Sequence, residues 1–287
     1  MSGYETVSQD EAAALVAAGE ALVLDVRNPD EWAQLGTIPG AVPLPMDLAL
    51  SATATLPRDG RAVLVCCEHG VRSAAVARML AAAGLPRVLN LAGGMSAWRG
   101  DRAFEARVPD PRYGPSSWLL ANVDLLPSAD RAGGAPEVLD VASGSGRHAL
   151  LLASAGFKVR AIDADETRLA GLRATAAAVG LGLEAARVDL ESAGADLGSG
   201  EYDLILVFRY LHRPLFPALA KALRPGGVLL YETYTEAQAG RGKPTSPAHL
   251  LEAGELRRLV QPLRVLRERE GEYDGAMVAG VVARREG

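Results

Sequence analysis

Cysteine, lysine and long uncharged apolar runs are all scarce in this 287-residue chain, and each scarcity excludes a class of protein. The two cysteines, Cys66 and Cys67, are adjacent. A disulfide framework needs pairs that close long loops, and neighbours close almost nothing. In a reducing compartment both are free thiols. The longest stretch without a charged residue, 32–46, has 15 residues and three prolines. That is short of the ~18 apolar residues of a membrane helix, so no membrane partner is expected. The N-terminus carries Glu5, Asp10 and Glu11 and no early Lys or Arg. A signal peptide starts basic and then turns apolar, so a cytoplasmic location is expected. Basic excess is missing too. Residues 1–107 hold 9 basic and 12 acidic groups, and residues 108–287 hold 21 and 23, for a net charge of −5. No electrostatic nucleic-acid footprint is present, and no nucleic-acid partner is expected. Lysine occurs only as Lys158, Lys221 and Lys243 beside abundant alanine, which reads as genome bias. The four histidines do not share metal-ligand spacing with a cysteine or another histidine, so no metal site is expected.

What is present is ordinary globular composition, 49% hydrophobic and 23% charged. The length suits about two domains. Apolar runs at 21–26, 61–66 and 88–91 read as buried strands, and 10–18, 29–35 and 73–83 as helices. Residues 105–115, charged and proline-containing, read as a linker between domains at 1–104 and 116–287. A second alternation follows. Strands are predicted at 137–141, 158–162, 184–188, 203–208 and 227–232, and helices at 146–155, 166–178, 214–223 and 254–260. Apolar runs at 263–266 and 276–283 flank a Gly/Asp turn and predict a closing antiparallel hairpin. The fold class is α/β: a small parallel-sheet domain, then a Rossmann-like sheet with that hairpin.

The first candidate site lies where the strand 61–66 ends. Cys67, Glu68, His69, Gly70, Val71, Arg72 and Ser73 form a short loop running into a helix. Such a loop turns backbone N–H groups inward, and the helix start adds partial positive charge. Arg72 adds a full charge, Gly70 permits the tight path, and a thiol at the loop base has a lowered pKa. The pocket suits a small anion carrying a transferable atom. Cys66 continues the apolar strand and reads as a buried hydrophobe.

This half resembles the rhodanese (sulfurtransferase) family. Residues 67–73 are similar to its C-x-x-G-x-R-S signature. Asp25-Val26-Arg27 with Glu31 resembles its D-V-R-x-x-x-E element, residues 36–41 its G-H-I-P-G-A turn with Thr37 in place of His, and residues 91–98 its closing G-G-x-x-A-W. The resemblance implies that Cys67 takes sulfur from a small anionic donor such as thiosulfate and carries it as a persulfide, with Arg72 and the loop amides holding the anion. Two alternatives stand beside it. Counted from Cys66, the loop has the C-x-x-x-x-x-R pattern of cysteine phosphatases and of arsenate reductases on rhodanese-like folds. The domain also fits a non-catalytic binding module.

The second candidate site is a strand, a glycine turn and a helix start. Asp140 precedes Ala142, Gly144 and Gly146, and Asp163 follows 19 residues after Gly144. The glycines admit close ligand approach, and a carboxylate at the next strand tip accepts bonds from ribose hydroxyls. A dehydrogenase also fits Gly144-x-Gly146-x-x-Ala149. Asp140 opposes it, because a carboxylate suits a cationic aminoacyl group better than a pyrophosphate. Asp189, beside Leu190, stands at the third strand's end, where an adenine amino group can donate. Three acids in order match the parts of S-adenosylmethionine. Residues 113–287 resemble class I S-adenosylmethionine-dependent methyltransferases, most nearly the tellurite-resistance type. The pattern Asp140-x-Ala142-x-Gly144-x-Gly146 is similar to the family's D-x-G-x-G-x-G, and residues 223–227 to its L-x-P-G-G. Ala142 replaces a glycine, which is tolerable where that position needs no positive φ.

Tyr210, His212 and Arg213 follow the fourth strand and are the candidate acceptor residues. The loop 241–249 is basic and turn-rich, and reads as a solvated connector or as a lid over an anionic acceptor. The expected protein is a methyltransferase acting on a small acceptor, chalcogen nucleophiles included, fused to a Cys67 persulfide sulfurtransferase.

Overall fold

The computed structural model describes residues 3–105, 109–128, 134–192 and 195–287. The chain divides into two units, Met1–Pro115 with Ala174–Gly180, and Ser116–Arg173 with Leu181–Gly287. In the first unit the elements run β1 (Glu5–Val7), α1 (Gln9–Ala17), β2 (Ala21–Asp25), α2 (Pro29–Leu35), β3 (Val42–Pro43), α3 (Ala49–Ala52), β4 (Ala62–Cys66), α4 (Val71–Ala82), β5 (Val88–Leu91) and α5 (Gly94–Ala97). The sheet order is β1-β5-β4-β2-β3, and every neighbouring pair is parallel.

Strand β4 sits in the middle, buried along all five residues, which is why Ala62–Cys66 reads as an unbroken apolar run. Successive side chains leave a strand on opposite faces. Cys66 therefore joins Val23, Leu64 and Met95 on one side of the sheet, while Cys67 joins Leu24, Val65 and Val76 on the other. Helix α4 begins at Val71, two residues before the position expected from sequence, because Gly70 caps it with φ of 87°. Strands β1 and β3 are three and two residues long, too short to show a hydrophobic period. Of the expected linker, residues 106–108 lie outside the described residues. Beyond them, the Asp110 N–H donates to the Pro43 carbonyl (2.8 Å), and Thr55 Oγ1 donates to the Tyr113 carbonyl (2.9 Å).

The second unit, together with the end of α8, runs α6 (Ser117–Leu120), β6 (Glu137–Val141), α7 (Arg147–Ser154), β7 (Lys158–Asp163), α8 (Glu166–Ala178), β8 (Glu184–Arg187), β9 (Tyr202–Phe208), α9 (Phe216–Ala222), β10 (Leu223–Tyr234), α10 (Glu255–Leu259), β11 (Arg264–Tyr273) and β12 (Ala276–Arg284). Its sheet order is β11-β12-β10-β9-β6-β7-β8. The strands from β10 to β8 pair in parallel, and β12 enters antiparallel between β10 and β11. Chain order reverses between β6 and β9, so the ligand crevice of such a sheet lies outside the carboxyl ends of these two strands. The closing hairpin is longer than its apolar runs suggest. Strand β11 continues through Arg267–Tyr273, a charged stretch, because it is the sheet edge: pairing with β12 holds it, most of its side chains stay in water, and Arg269 turns inward onto the buried Glu232.

Candidate active sites

In the first unit the turn from β4 to α4 wraps the Cys67 sulfur. Sγ accepts the Gly70 N–H at 3.2 Å and the Ser73 N–H at 3.3 Å, and lies 3.3 Å from Ser73 Oγ. Burial pushes this thiol up. Bonds from Ser73 and from the His69 and Gly70 backbone outweigh it, and the net pKa is lowered. Cys66 behaves oppositely: full burial and nearby Asp25 push its thiol well above the ordinary value. The loop is pinned from one side by α5. The Met95 N–H donates to the Cys67 carbonyl (2.8 Å) and the Ser96 N–H to that of Glu68 (2.9 Å). Gly94, at φ of 60°, is required there, since a Cβ would lie 2.3 Å from the Cys67 carbonyl oxygen. His69 Nδ1 is 2.9 Å from Ser96 Oγ, so this histidine shapes the loop, and Val71 stands exposed at its tip.

A buried charge network braces the same loop. Arg27 and Asp25 have no exposed side-chain surface; Nε donates to Oδ1 at 3.0 Å and Nη2 to Oδ2 at 2.8 Å. Arg27 Nη1 reaches Glu68 (3.2 Å), Nη2 donates to the Gly36 carbonyl (2.6 Å), and Thr37 Oγ1 donates to Asp25 (2.9 Å). Arg72, the residue expected to hold an anion, grips Glu31: Nη1 donates to Oε2 at 2.7 Å, and Nη2 bonds Oε1. The same Glu31 carboxylate accepts the Asn28 N–H at the start of α2 (3.0 Å). The D-V-R-x-x-x-E residues thus act as a scaffold under the loop, a role their sequence spacing does not reveal.

In the second unit the glycine turn joins β6 to α7. Asp140 is buried, and its Oδ2 accepts the Ala149 N–H at 3.1 Å. Burial raises its pKa to about 7. Asp163 ends β7 and accepts the Gly144 N–H (2.8 Å) and the Asp165 N–H (2.9 Å). Gly146, at φ of 79°, packs so closely that a Cβ would lie 2.4 Å from Leu172. The Ser143 hydroxyl in this turn is buried and has no partner among the described residues. Ala142 sits at φ of 54°, so position 142 does take the left-handed backbone that glycine favours, contrary to the condition on which its replacement was tolerable. Asp189 is exposed, accepting the Glu191 N–H (3.1 Å), and Leu190 beside it is core.

The three candidate acceptor residues part company. Tyr210 lines a cleft of about 560 Å³ beyond β9 and β10, together with Arg209, Tyr234, Lys243 and His249. His212 is not in that lining, and half-buried it precedes the turn into α9. Arg213 is a brace: Nε and Nη2 donate to Glu255 (2.6 and 2.9 Å), and the guanidinium also meets the Ala248 and Leu250 carbonyls. Lys243 and His249 bring part of the basic loop into the wall. His148 accepts the Ser116 N–H (3.1 Å) against Phe208 and, buried, titrates far below the ordinary range. Residues 231–234, which end β10 and read from sequence as acceptor or packing residues alike, include Glu232; two features there and beside it escaped the sequence. Glu232 is wholly buried and held by Arg269, with Nε at 2.9 Å. Arg209 has a left-handed backbone, φ of 59°, which no residue pattern announces.

Among the described residues no group of three or more His, Cys, Asp or Glu is placed to hold a metal ion, and no helix is long and apolar enough to cross a membrane. Comparison with known proteins matches residues 8–101 to the rhodanese-like domain family and residues 138–227 to a methyltransferase domain family. A sulfurtransferase of Allochromatium vinosum is 43% identical over 79 residues, 28% of this chain and 72% of that protein. Among solved structures, an S-adenosylmethionine-dependent methyltransferase from Mesorhizobium loti is 20% identical, over 60% of this chain and 99% of that one, with a TM-score of 0.49. TehB from Haemophilus influenzae is 20% identical, over 57% and 62%, with a TM-score of 0.46. Through residues 8–101 the chain belongs to the rhodanese-like sulfurtransferase family, and it carries a methyltransferase domain behind that one.

Proposed function

We propose that the chain joins two transfer activities, sulfur transfer through Cys67 and S-adenosylmethionine-dependent methyl transfer to a small acceptor. The observation that carries the first is the Cys67 sulfur at the focus of the Gly70 and Ser73 donors. Those donors favour the thiolate, which is the nucleophile. The thiolate attacks the outer sulfur of a donor such as thiosulfate; the S–S bond breaks and sulfite leaves with the electron pair. A second nucleophile then takes the terminal sulfur and returns the thiolate. The same donors stay aimed at the negative charge throughout. The Cys66 register finds no support in this geometry, since its thiol faces the opposite core and is kept protonated.

For the second activity the residues present fit an adenosyl cofactor. Asp140 offers a buried carboxylate to a cationic amine, Asp163 stands at the strand tip where a ribose binds, and the unpartnered Ser143 hydroxyl awaits an acceptor. When bound, the cofactor supplies an electrophilic methyl group. The chain's part is to position the acceptor in line and exclude water. Sulfur and other chalcogen nucleophiles need little base catalysis, which agrees with the protonated Tyr210, pushed up to about 12 chiefly by burial.

A binding-module role for the first domain draws on one observation, the engagement of Arg72 by Glu31. One experiment separates the readings: methyl transfer from labelled S-adenosylmethionine to sulfide, selenite, tellurite and small thiols, with and without thiosulfate, alongside a thiosulfate-to-cyanide assay. Cys67→Ser is expected to abolish sulfur transfer and Cys66→Ser to spare it. No turnover by the wild type would make the first domain a binding module. Methylation raised by thiosulfate only when Cys67 is present would make the two domains a relay.

A further inference from the structure

Cys67 is 1% exposed, so a molecule that takes sulfur from it arrives over the rim of the β4–α4 loop. The proton-carrying side chains of that loop are nearly all engaged. Glu68 receives Arg27 Nη1 at 3.2 Å, Arg72 is held by Glu31, and the Ser73 hydroxyl lies against Sγ. His69 is left, and it is exposed. Its backbone N–H supplies one of the bonds that favour the Cys67 thiolate, so the residue stands directly beside the sulfur.

The His69 ring is fixed in one tautomer. Ser96 Oγ has three polar neighbours: the Glu68 carbonyl at 2.8 Å, the Gly93 carbonyl at 3.0 Å and His69 Nδ1 at 2.9 Å. Carbonyls only accept, and the single hydroxyl proton goes to them. Ser96 Oγ therefore accepts from His69, and Nδ1 carries the hydrogen of the neutral imidazole. The lone pair is on Nε2, which among the described residues has no hydrogen-bond partner. The Ser96 N–H also donates to the Glu68 carbonyl (2.9 Å), so the residue that orients the ring is itself tied to the loop.

Sulfur transfer to a thiol needs such a group, because the attacking thiol must lose a proton and the transferred sulfur must gain one. We propose that His69 Nε2 carries the proton in transfer to a thiol acceptor, from the incoming S–H to the outer sulfur of the Cys67 persulfide. The acceptor sulfur attacks that outer sulfur, the S–S bond to Cys67 breaks, and its electron pair returns to Sγ. A thiol and a persulfide anion thus become a new protonated persulfide and the Cys67 thiolate, with no oxidant or reductant consumed. This rests on the Cys67 sulfur-transfer reading above and adds to it the acceptor class and the proton carrier.

The test is single-turnover transfer from the full-length protein, loaded with sulfur from thiosulfate and freed of the excess, to 2-mercaptoethanol or to cyanide. Mass spectrometry follows loss of the extra sulfur from Cys67. Cyanide attacks as its anion and brings no proton to the transferred sulfur. His69→Asn keeps an amide N–H where Nδ1–H stood and removes Nε2. General acid–base groups contribute about 10²–10⁴-fold, and thiols ionise partly unaided, so His69→Asn is expected to slow transfer to 2-mercaptoethanol at least about tenfold more than transfer to cyanide. Comparing two acceptors within one variant cancels any disturbance of the loop itself. Similar slowing of both overturns the proposal, as does a wild type that serves cyanide and not the thiol. Should His69→Asn fail to fold, His69→Ala with added imidazole decides: recovery of transfer to the thiol supports the proposal, and no recovery overturns it. A wild type that loads no sulfur on Cys67, or passes it to neither acceptor, overturns the sulfur-transfer reading instead.

Discussion

Removing one oxygen atom, by Ser73→Ala, tests whether the β4–α4 turn is a thiolate cradle. Ser73 is fully buried, and its hydroxyl lies 3.3 Å from Cys67 Sγ. The Gly70 and Ser73 N–H groups, at 3.2 and 3.3 Å, belong to the backbone and survive the substitution. A hydrogen bond to a charged group contributes about 1.5–3 kcal/mol. One pKa unit corresponds to about 1.4 kcal/mol, so losing the hydroxyl raises the Cys67 pKa by about one to two units. Sulfur is a soft acceptor at these distances, which favours about one unit. The sign follows from the native state. The Cys67 pKa lies below its ordinary value despite burial, because bonds from Ser73, His69 and Gly70 favour the anion. Taking one away moves the midpoint up, and at a fixed pH below it the thiolate fraction falls about tenfold per unit. Ultraviolet thiolate absorbance against pH reads the midpoint, and iodoacetamide alkylation mapped by mass spectrometry assigns it to Cys67 or Cys66. An unshifted midpoint in a variant of native circular dichroism would refute the cradle, as would a titration that belongs to Cys66.

Three further outcomes are expected. Arg27→Met strands the buried Asp25 carboxylate, leaving it, among the described residues, Thr37 and a backbone N–H, and is expected to destabilise the first unit by about 3–5 kcal/mol in urea unfolding. Gly94→Ala places a Cβ 2.3 Å from the Cys67 carbonyl oxygen at φ of 60°; a loss of more than about 2 kcal/mol is expected, with sulfur transfer falling because the clash is with the loop backbone. A stable, active variant would show that α5 does not pin the loop. Asp140 titrates near 7 in the folded protein, and its unfolded value is near 4. Between those values the folded state holds a proton the unfolded state has lost, so wild-type stability declines as pH rises through this window. Asp140→Asn is expected to flatten that decline, measured by unfolding of the second unit at about pH 5 and about pH 8. Equal pH slopes for both proteins would show that Asp140 is not the group responsible.

Much of the fold was legible because its signals are local. Strands β2, β4, β5 and β6 are buried runs of four or five residues bounded by turns, and helix α2 is announced by Asn28, Pro29 and Glu31, its start signals. Strand β11 was legible only in its first residues, because the charged remainder has no hydrophobic period and is held by pairing with β12 and by partners distant in sequence, Asp124 for Arg267 and Glu232 for Arg269. The loop from Cys67 to Ser73 showed as a motif, since the nucleophile, the glycine and the helix start are consecutive in sequence. The partners of its charged residues did not show. Arg72 meets Glu31 across 41 residues, and Arg27 meets Glu68 across the same separation.

The sequence by itself determined the alternation of strands and helices, the order of the two domains, and the chemistry at hand in each: a thiol before a helix start, and acids after the strands of a glycine turn. These depend on neighbours a few residues apart, so spacing alone encodes them. Tertiary structure decided which groups are free to act. It turned Cys66 and Cys67 to opposite faces of one sheet, gave Arg72 to Glu31 and Arg213 to Glu255, and buried Glu232 under Arg269. Among the described residues it left the buried Arg209 Nη1 and Tyr210 Oη without hydrogen-bond partners. An ionisable side chain acts according to what lies within a few ångströms of it, and those neighbours come from distant parts of the chain.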